Sequence, residues 1–287
     1  MALSGCGSSS APATAKTSTV SASPKPQRVY RHDARTGTPA RAIGRLTLPA
    51  RPPARSVRVP ILTWHRVAVF ADELTKSIPD ETVEPGTFAA QITALAAHGY
   101  HPISQLQLFD ALFHGVALPS KPVLLTVDDG YVDDVKTILP ILQAHRFIAT
   151  FYIITGRFHE PGFLNPTEVR RLDDAGMDVG AHTRTHVPLA TLPAAAAHSQ
   201  IVGSREDLQR VLRHPVQWFA YPFGSVDASV VAELRRAGFV LAVTTAAGTS
   251  ERSSAPLTLP RIHIGRTATA TTVLACVSAP AACGGGD

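Results

Sequence analysis

The chain alternates short apolar runs with longer amphipathic segments from Val57 to Gly265, and this alternation constrains its fold more than any other feature. The run "PVLLTVDD" at 122–129 precedes a helical pattern from about 133 to 144, and the same order recurs along the domain. Strands that alternate with helices form parallel sheets, with functional groups at the strands' carboxyl ends. We therefore predict an α/β fold, closed or nearly closed into a (β/α) barrel around one core.

Two flanking segments lack this alternation. Residues 1–58 are rich in Pro, Ser, Thr and Arg and carry 10 Lys or Arg against one acid, whereas the remainder has 17 basic and 21 acidic residues. We predict a disordered basic linker over 1–58, a catalytic domain over 59–268 and a flexible tail over 269–287. A mildly acidic domain with a basic arm disfavours a nucleic-acid enzyme, whose basic residues should line the folded site.

The N-terminal sequence suggests a location for the protein. Leu3 to Cys6 in "MALSGCGSSS" resembles the bacterial lipobox, in which the cysteine is lipidated, so we expect a clipped lipoprotein signal. No apolar run is long enough to span a membrane. Cys276 and Cys283 could pair in an oxidising compartment. We expect a monomer outside the cytoplasm, secreted or held at the membrane by its lipid.

Polar residues follow two of the predicted strands. Asp128 and Asp129 end "LLTVDD" before Gly130, and His182 and His186 follow the short strand "MDVGA". A solvated Asp-Asp-Gly turn is the simpler interpretation of the first motif. However, two histidines four apart can share one face of a helical turn and bind one metal ion, with Asp129 as third ligand and open positions for water and substrate. Asp128 would then be free to act as a base.

The motifs "LTVDDG", "HTRTH", "FAYPFG" and "LPRI" together resemble those of polysaccharide deacetylases with a NodB-homology domain, carbohydrate esterase family 4. The resemblance covers Pro60 to Arg266 and is nearest to the poly-N-acetylglucosamine deacetylase branch of biofilm formation. It implies a distorted (β/α) barrel and metal-dependent hydrolysis of N-acetyl groups. It also implies that Asp128 is the base and that the divalent metal is bound by Asp129, His182 and His186.

The later motifs of the resemblance imply further roles. A backbone N–H from the loop Tyr221, Pro222 and Phe223 would stabilise the oxyanion. The arginine that usually orients the base is replaced by Ala220 in this chain. We predict that Arg261 in "LPRI" orients the base in its place; the alternative is that Arg261 is a surface residue without this role.

Two histidines compete for the role of general acid. His263 lies on a late strand, where most of the family places the acid, whereas His65 ends the first strand, as in the biofilm branch. Because His65 ends its strand at the level where Asp128 ends another, we predict His65 as the acid.

These observations predict a hydrolase that removes N-acetyl groups from a polysaccharide, with one zinc ion, or cobalt or nickel, as cofactor. An O-acetyl esterase of wall polysaccharide and a non-catalytic wall-binding lipoprotein are the alternatives. The absence of the motif arginine at Ala220 favours the second of these. A non-haem iron oxygenase also uses two histidines and one carboxylate, but it would leave Asp128 unexplained.

Overall fold

The computed structural model describes residues 1–2, 44–70 and 78–279. All of the elements below lie between Ser56 and Ser278.

Seven parallel strands form a closed barrel, which confirms the predicted fold. In chain order the strands of the domain are β1 (Ser56–Arg58), β2 (Ile61–Trp64), β3 (Arg66–Val67), β4 (Thr82–Val83), β5 (His101–Pro102), β6 (Pro122–Asp129), β7 (Thr150–Ile153), β8 (Asp178–Ala181), β9 (Trp218–Ala220), β10 (Leu241–Ala247), β11 (Ser250–Arg252) and β12 (Leu259–His263). The barrel order is β2, β12, β10, β9, β8, β7, β6, and β6 pairs again with β2. Strand β5 extends the sheet beside β6.

Helices connect the strands, as the alternating sequence pattern predicts, and a last helix follows β12. They are α1 (Pro85–Ala97), α2 (Gln105–His114), α3 (Leu139–Ala144), α4 (Pro166–Asp174), α5 (Ala194–Leu212), α6 (Ala228–Ala237) and α7 (Ala270–Ser278), with a π-helical turn (Asp134–Ile138) leading into α3. Ser104 caps α2 through a capping box, and Gly115 ends it in the left-handed conformation. No described helix combines the length and apolar character needed to cross a membrane.

The barrel strands are buried on both faces, which explains their continuous apolar sequences. Leu62, Leu125 and their equivalents pack against the helices, whereas Ile61 and Leu124 belong to a second cluster that α2 completes. Because side chains alternate along a strand, the residues that share a face with Leu124 point into the barrel. Asp128 is one of them, since it lies four residues further along β6.

The domain boundaries differ from those predicted at both ends. Strand β1 pairs antiparallel with β11, so the last residues of the proposed linker are folded. The proposed flexible tail is wrong over α7, whose Val273 and Val277 are buried against the core. Cys276 is disulfide-bonded. Its proposed partner Cys283 lies outside the described residues, as do the rest of the tail, the lipobox-like segment and residues 7–43 of the linker.

Candidate active site

Asp128 lies in the barrel interior, where Arg261 holds it. The two guanidinium nitrogens Nη1 and Nη2 of Arg261 donate to Oδ1 and Oδ2 of Asp128 at 2.8 and 2.7 Å. Strand β12 carries Arg261 and is joined to β6 through β2, which pairs with both of them. Asp128 and Arg261 are 1% and 3% exposed. The structure therefore places the substitute arginine of the sequence prediction directly on the proposed base.

Further hydrogen bonds from Nε and Nη1 fix the side chain of Arg261 in one orientation. Its Nε donates to the carbonyl oxygen of Thr244 at 2.9 Å, and Nη1 also contacts the hydroxyl of Thr63 at 2.9 Å. Burial alone would raise the pKa of Asp128, but the guanidinium lowers it below the usual range of a carboxyl group. Asp128 is therefore a carboxylate at neutral pH, in the form that accepts a proton.

Asp129 turns out of the strand geometry at the end of β6. Its φ is +82° and that of Gly130 is +77°, so two successive residues are left-handed. A Cβ atom on Gly130 would lie 3.2 Å from the side chain of Ile153, which favours glycine there. Strict alternation would place adjacent carboxylates on opposite faces of the sheet. This backbone turn instead lets both serve the same end of the barrel.

His182 and His186 approach the same oxygen of Asp129. Their Nε2 atoms lie 3.5 and 3.4 Å from Oδ1, and that buried oxygen accepts no hydrogen bond from any described residue. The predicted helical turn is wrong: His186 and Thr183 have φ of +53° and +62°, in a loop without helix. The Thr183 hydroxyl accepts the backbone N–H of His186 at 3.0 Å and so stabilises this loop.

The three side chains are suited to a divalent metal ion. Their ligand atoms all lie within 4.8 Å of one another. Nδ1 of His182 bonds to the carbonyl oxygen of Ala220 at 2.8 Å, which leaves its Nε2 to act as a ligand. Burial and the neighbouring His182 lower the pKa of His186 to about 4, so its imidazole is neutral, as a ligand must be. An uncompensated buried carboxylate oxygen facing two imidazole nitrogens fits zinc, cobalt or nickel.

A network that sequence reasoning missed supports the histidine loop. Asp207 on α5 accepts two hydrogen bonds from Arg184, at 2.8 and 3.0 Å, and a third from the hydroxyl of Thr155 at 2.9 Å. The side-chain oxygen of Gln200 accepts the backbone N–H groups of Arg184 and Thr185, both at 3.0 Å. An acidic residue on a polar helix face has no distinguishing sequence signal.

The structure narrows the proposed oxyanion loop to one backbone donor. The N–H of Tyr221 already donates to Val243 at 3.2 Å, and Pro222 has none. Phe223 has φ of +56° and a side chain that is 65% exposed, with its ring centroid 4.6 Å from that of His186. The Tyr221 side chain is buried and its hydroxyl donates to the carbonyl of Leu257 at 2.8 Å, so it packs and does not face the site.

His65 and His263 both contact Glu81, a residue that sequence reasoning missed. Nδ1 of His65 lies 3.0 Å from Oε2 of Glu81, and Nε2 of His263 makes a short contact with the same oxygen. Strand β3 follows His65, β4 follows Glu81, and these strands pair in register. Burial opposes protonation of His65, but the carboxylates of Glu81, Asp128 and Asp129 raise its pKa to about 9. The imidazole is therefore protonated at neutral pH, as a general acid must be.

The sequence comparisons agree with this arrangement. The pattern of the polysaccharide deacetylase family matches residues 115–242, which include Asp128, Asp129, His182, His186 and the Tyr221 loop. This chain contains a polysaccharide deacetylase domain. The deacetylase domain is similar to YxkH of Bacillus subtilis (strain 168), with 22% identity over 210 residues that cover 73% of this chain and 72% of YxkH.

Two further relatives cover different shares of this chain. The Streptococcus pyogenes deacetylase PplD, solved in complex with acetate, superposes with a TM-score of 0.71 and 26% identity, covering 77% of this chain and 98% of PplD. The poly-β-1,6-N-acetyl-D-glucosamine N-deacetylase of Escherichia coli (strain K12) is 35% identical over 91 residues, which are 31% of this chain and only 13% of that enzyme. The likeness shows a hydrolase of the deacetylase class.

Proposed function

We propose that this protein hydrolyses the N-acetyl groups of an N-acetylglucosamine polymer outside the cytoplasm, using one divalent metal ion. The observation that carries the proposal is the pair of carboxylates that end β6. Asp128 is held as a base by Arg261 at 2.7 and 2.8 Å, and the neighbouring Asp129 presents an unpaired oxygen to two histidines. One carboxylate for proton transfer beside one for metal binding is what amide hydrolysis by an activated water requires.

Asp129, His182 and His186 would bind the metal, most simply zinc, with cobalt and nickel compatible with the same donors. When bound, such an ion polarises the acetyl carbonyl and lowers the pKa of water from about 15.7 toward about 7. The Nδ1 contact of His182 with Ala220 keeps the imidazole in its ligating orientation. The Asp207 and Gln200 contacts hold the loop that carries His186.

The other residues move protons and stabilise charge. Asp128 accepts the proton of the attacking water, while Arg261 keeps the carboxylate oriented and ionised. The backbone N–H of Phe223 donates to the oxyanion. His65 then gives its proton to the departing amine as the carbon–nitrogen bond breaks. Acetate and a free glucosamine amine are the products.

Two observations support the choice of substrate. The E. coli relative deacetylates poly-β-1,6-N-acetyl-D-glucosamine, and its name matches the biofilm branch that the motifs of this chain resemble. The PplD relative was solved with acetate, the expected product. Together they support an N-acetylated glucan as the substrate. Wall-binding without turnover loses its main support, since Arg261 makes the contact with Asp128 that the motif arginine absent at Ala220 would otherwise make.

Acetate release is the direct test of this function. The full chain is incubated with poly-β-1,6-N-acetylglucosamine, chitin oligomers and an O-acetylated wall polysaccharide, with acetate measured enzymatically. We expect release from an N-acetylated glucan, lost on chelation and restored by zinc, cobalt or nickel. Release from the O-acetylated polymer alone would identify an esterase. Release that survives complete chelation would contradict the metal-dependent mechanism.

The proposed location has a separate test. We propose that lipidation of Cys6 holds the protein at the outer face of the cytoplasmic membrane, and the disulfide of Cys276 is consistent with an oxidising compartment. The full-length gene is expressed in its own host, and membrane and soluble fractions are compared. Cys6→Ala should move the protein to the soluble fraction, whereas unchanged membrane association would contradict lipid anchoring.

A further inference from the structure

A second group of ligand atoms lies at the carboxyl end of the barrel, separate from the set built on Asp129. It consists of His65 at the end of β2, Glu81 before β4 and His263 at the end of β12, and we refer to it as the Glu81 cluster. One ligand atom from each of the three lies within 4.8 Å of the others. Both imidazoles approach the same oxygen, Oε2 of Glu81.

The contact between His65 and Glu81 has the distance of a hydrogen bond without its alignment. Nδ1 of His65 is buried and lies 3.0 Å from Oε2, yet it forms no hydrogen bond with any described residue. The same feature marks the Asp129 set, where Oδ1 lies 3.5 and 3.4 Å from two nitrogens and is not hydrogen-bonded. His263 does form a hydrogen bond with Oε2 of Glu81, so a metal ion would replace that bond and join the unbonded Nδ1 of His65 to the same oxygen.

The backbone fixes the Glu81 cluster before any ion binds. The N–H of Arg266, just beyond β12, donates to the carbonyl of Asp80 at 2.9 Å, which holds the Glu81 turn beside His263. A Cβ atom on Gly265 would lie 3.0 Å from that same carbonyl, so glycine permits this close approach. On the other side, the pairing of Arg66 with Thr82 places His65 beside Glu81.

The Glu81 cluster is also open to solvent. The side chains of His65, Glu81 and His263 are 21%, 35% and 40% exposed, so an ion can enter and complete its coordination with water. Two imidazoles and one carboxylate are donors that zinc, cobalt and nickel prefer over magnesium or calcium.

We propose that the Glu81 cluster is a second divalent-cation site of the zinc, cobalt and nickel class, and that filling it inactivates the enzyme. A cation on Nδ1 of His65 would replace the proton there and leave the imidazole unable to act as a cationic acid. The first equivalent of metal would therefore activate the enzyme and the second would inhibit it. The binding part of this inference is independent of the proposed function, whereas the inhibition part rests on it.

Metal stoichiometry tests the binding part. Metal-free full chain is titrated with Zn²⁺ and the bound metal is measured calorimetrically and by elemental analysis. We expect two equivalents for the wild type, one for His263→Gln and one for Asp129→Ala, which keeps only the second site. His101→Gln is the matched control, because His101 is exposed on β5 at the opposite end of β6, where it bonds to Ser120. It should bind two equivalents.

Deacetylation at one equivalent of zinc and at excess zinc tests the inhibition part. The wild-type rate should fall by about 10²-fold or more at excess zinc, because a general acid typically contributes that much. His263→Gln should keep the rate that it shows at one equivalent, whatever that rate is. A wild type that binds one equivalent, or a His263→Gln variant that binds two, overturns the site. Equal inhibition of the wild type and His263→Gln by excess zinc would show that the inhibition does not come from metal binding at His65. If no substrate is deacetylated, the metal stoichiometry still shows whether the Glu81 cluster binds a second ion.

Discussion

Asp128 and Asp129 are adjacent in sequence and end the same strand, yet their surroundings are opposite. Asp128 lies in the barrel interior with both oxygens bonded to Arg261, whereas Asp129 has a left-handed backbone and a buried oxygen without a hydrogen bond. A carboxylate whose charge is already compensated by a guanidinium attracts a metal cation only weakly. One that is uncompensated and faces two imidazoles is suited to bind one. The difference assigns proton transfer to one and metal binding to the other.

Removal of the Asp129 carboxylate should have the largest effect of any single change. Asp129→Ala takes away the charged ligand, so metal affinity should fall by more than the roughly 10- to 100-fold that loss of an outer-shell partner costs. Activity should fall to background. Elemental analysis after desalting and acetate release measure the two effects. His182→Ala and His186→Ala should behave alike, and a variant that retains full metal would remove its residue from the ligand set.

The residues on the proton-transfer side should lose turnover without losing metal. His65→Ala should lower kcat by about 10²- to 10⁴-fold, the usual contribution of a general acid, with metal content at one equivalent of zinc unchanged. His263→Ala is its comparison variant, since His263 contacts the same Glu81 oxygen from an exposed position. If His263→Ala shows the larger loss and His65→Ala stays near wild type, the acid is on the late strand.

The bidentate contact between Arg261 and Asp128 should contribute less to kcat than the general acid does. Arg261→Lys keeps the charge but loses the planar fork, so the carboxylate is held by one contact in place of two. We expect kcat to fall by about 10- to 100-fold, with KM and metal content near wild type. A kcat equal to that of the wild type would mean that the orientation of the base is set by other contacts.

Glu251 is another buried carboxyl group, and among the described residues it contacts neither an arginine nor a set of metal ligands. Both of its oxygens lack hydrogen bonds from described residues, and burial raises its pKa to about 9. The unfolded chain ionises this group above about pH 4.3, so the free energy of unfolding should fall as pH rises from about 4 to about 9. Glu251→Gln should be more stable by about 1–4 kcal/mol at pH 8 and by less than about 1 kcal/mol at pH 5. Urea unfolding at both pH values measures this, and an equal difference at both would show that Glu251 is not buried as an acid.

Much of the fold could be predicted because its signals are periodic. Apolar strands alternate with capped helices, and Ser104 and Gly115 bound α2 as N-cap and left-handed C-cap, positions that these residue types favour. The largely apolar run from Val57 to His65 has the pattern of one strand, but the structure divides it into β1 and β2 around Val59 and Pro60. Helix α7 carries Val273, Cys276 and Val277 at helical spacing, a signal that its many small residues obscured.

The site residues that belong to sequence motifs could be predicted, whereas those brought to the site by backbone conformation or strand pairing could not. Arg261 could be proposed because the missing motif arginine required a substitute. The structure places the side chain of Arg261 inside the barrel. Glu81 had no such signal, since the pairing of two-residue strands brings it to His65. The left-handed residues at Asp129 and His186 were equally unpredictable, because neither residue type requires that conformation.

The division of labour between the two carboxylates is tested most directly by Asp128→Asn, with Asp129→Asn as the matched variant. Metal content and acetate release are measured on the same protein samples at one equivalent of zinc, with His263→Gln present in every protein so that the Glu81 cluster cannot bind the ion. Asp128→Asn should keep the full equivalent of metal and lose turnover, because only the proton acceptor is removed, while Asp129→Asn should lose both. If Asp128→Asn loses metal as severely as Asp129→Asn, the two carboxylates bind the ion together and the assignment of base and ligand is wrong.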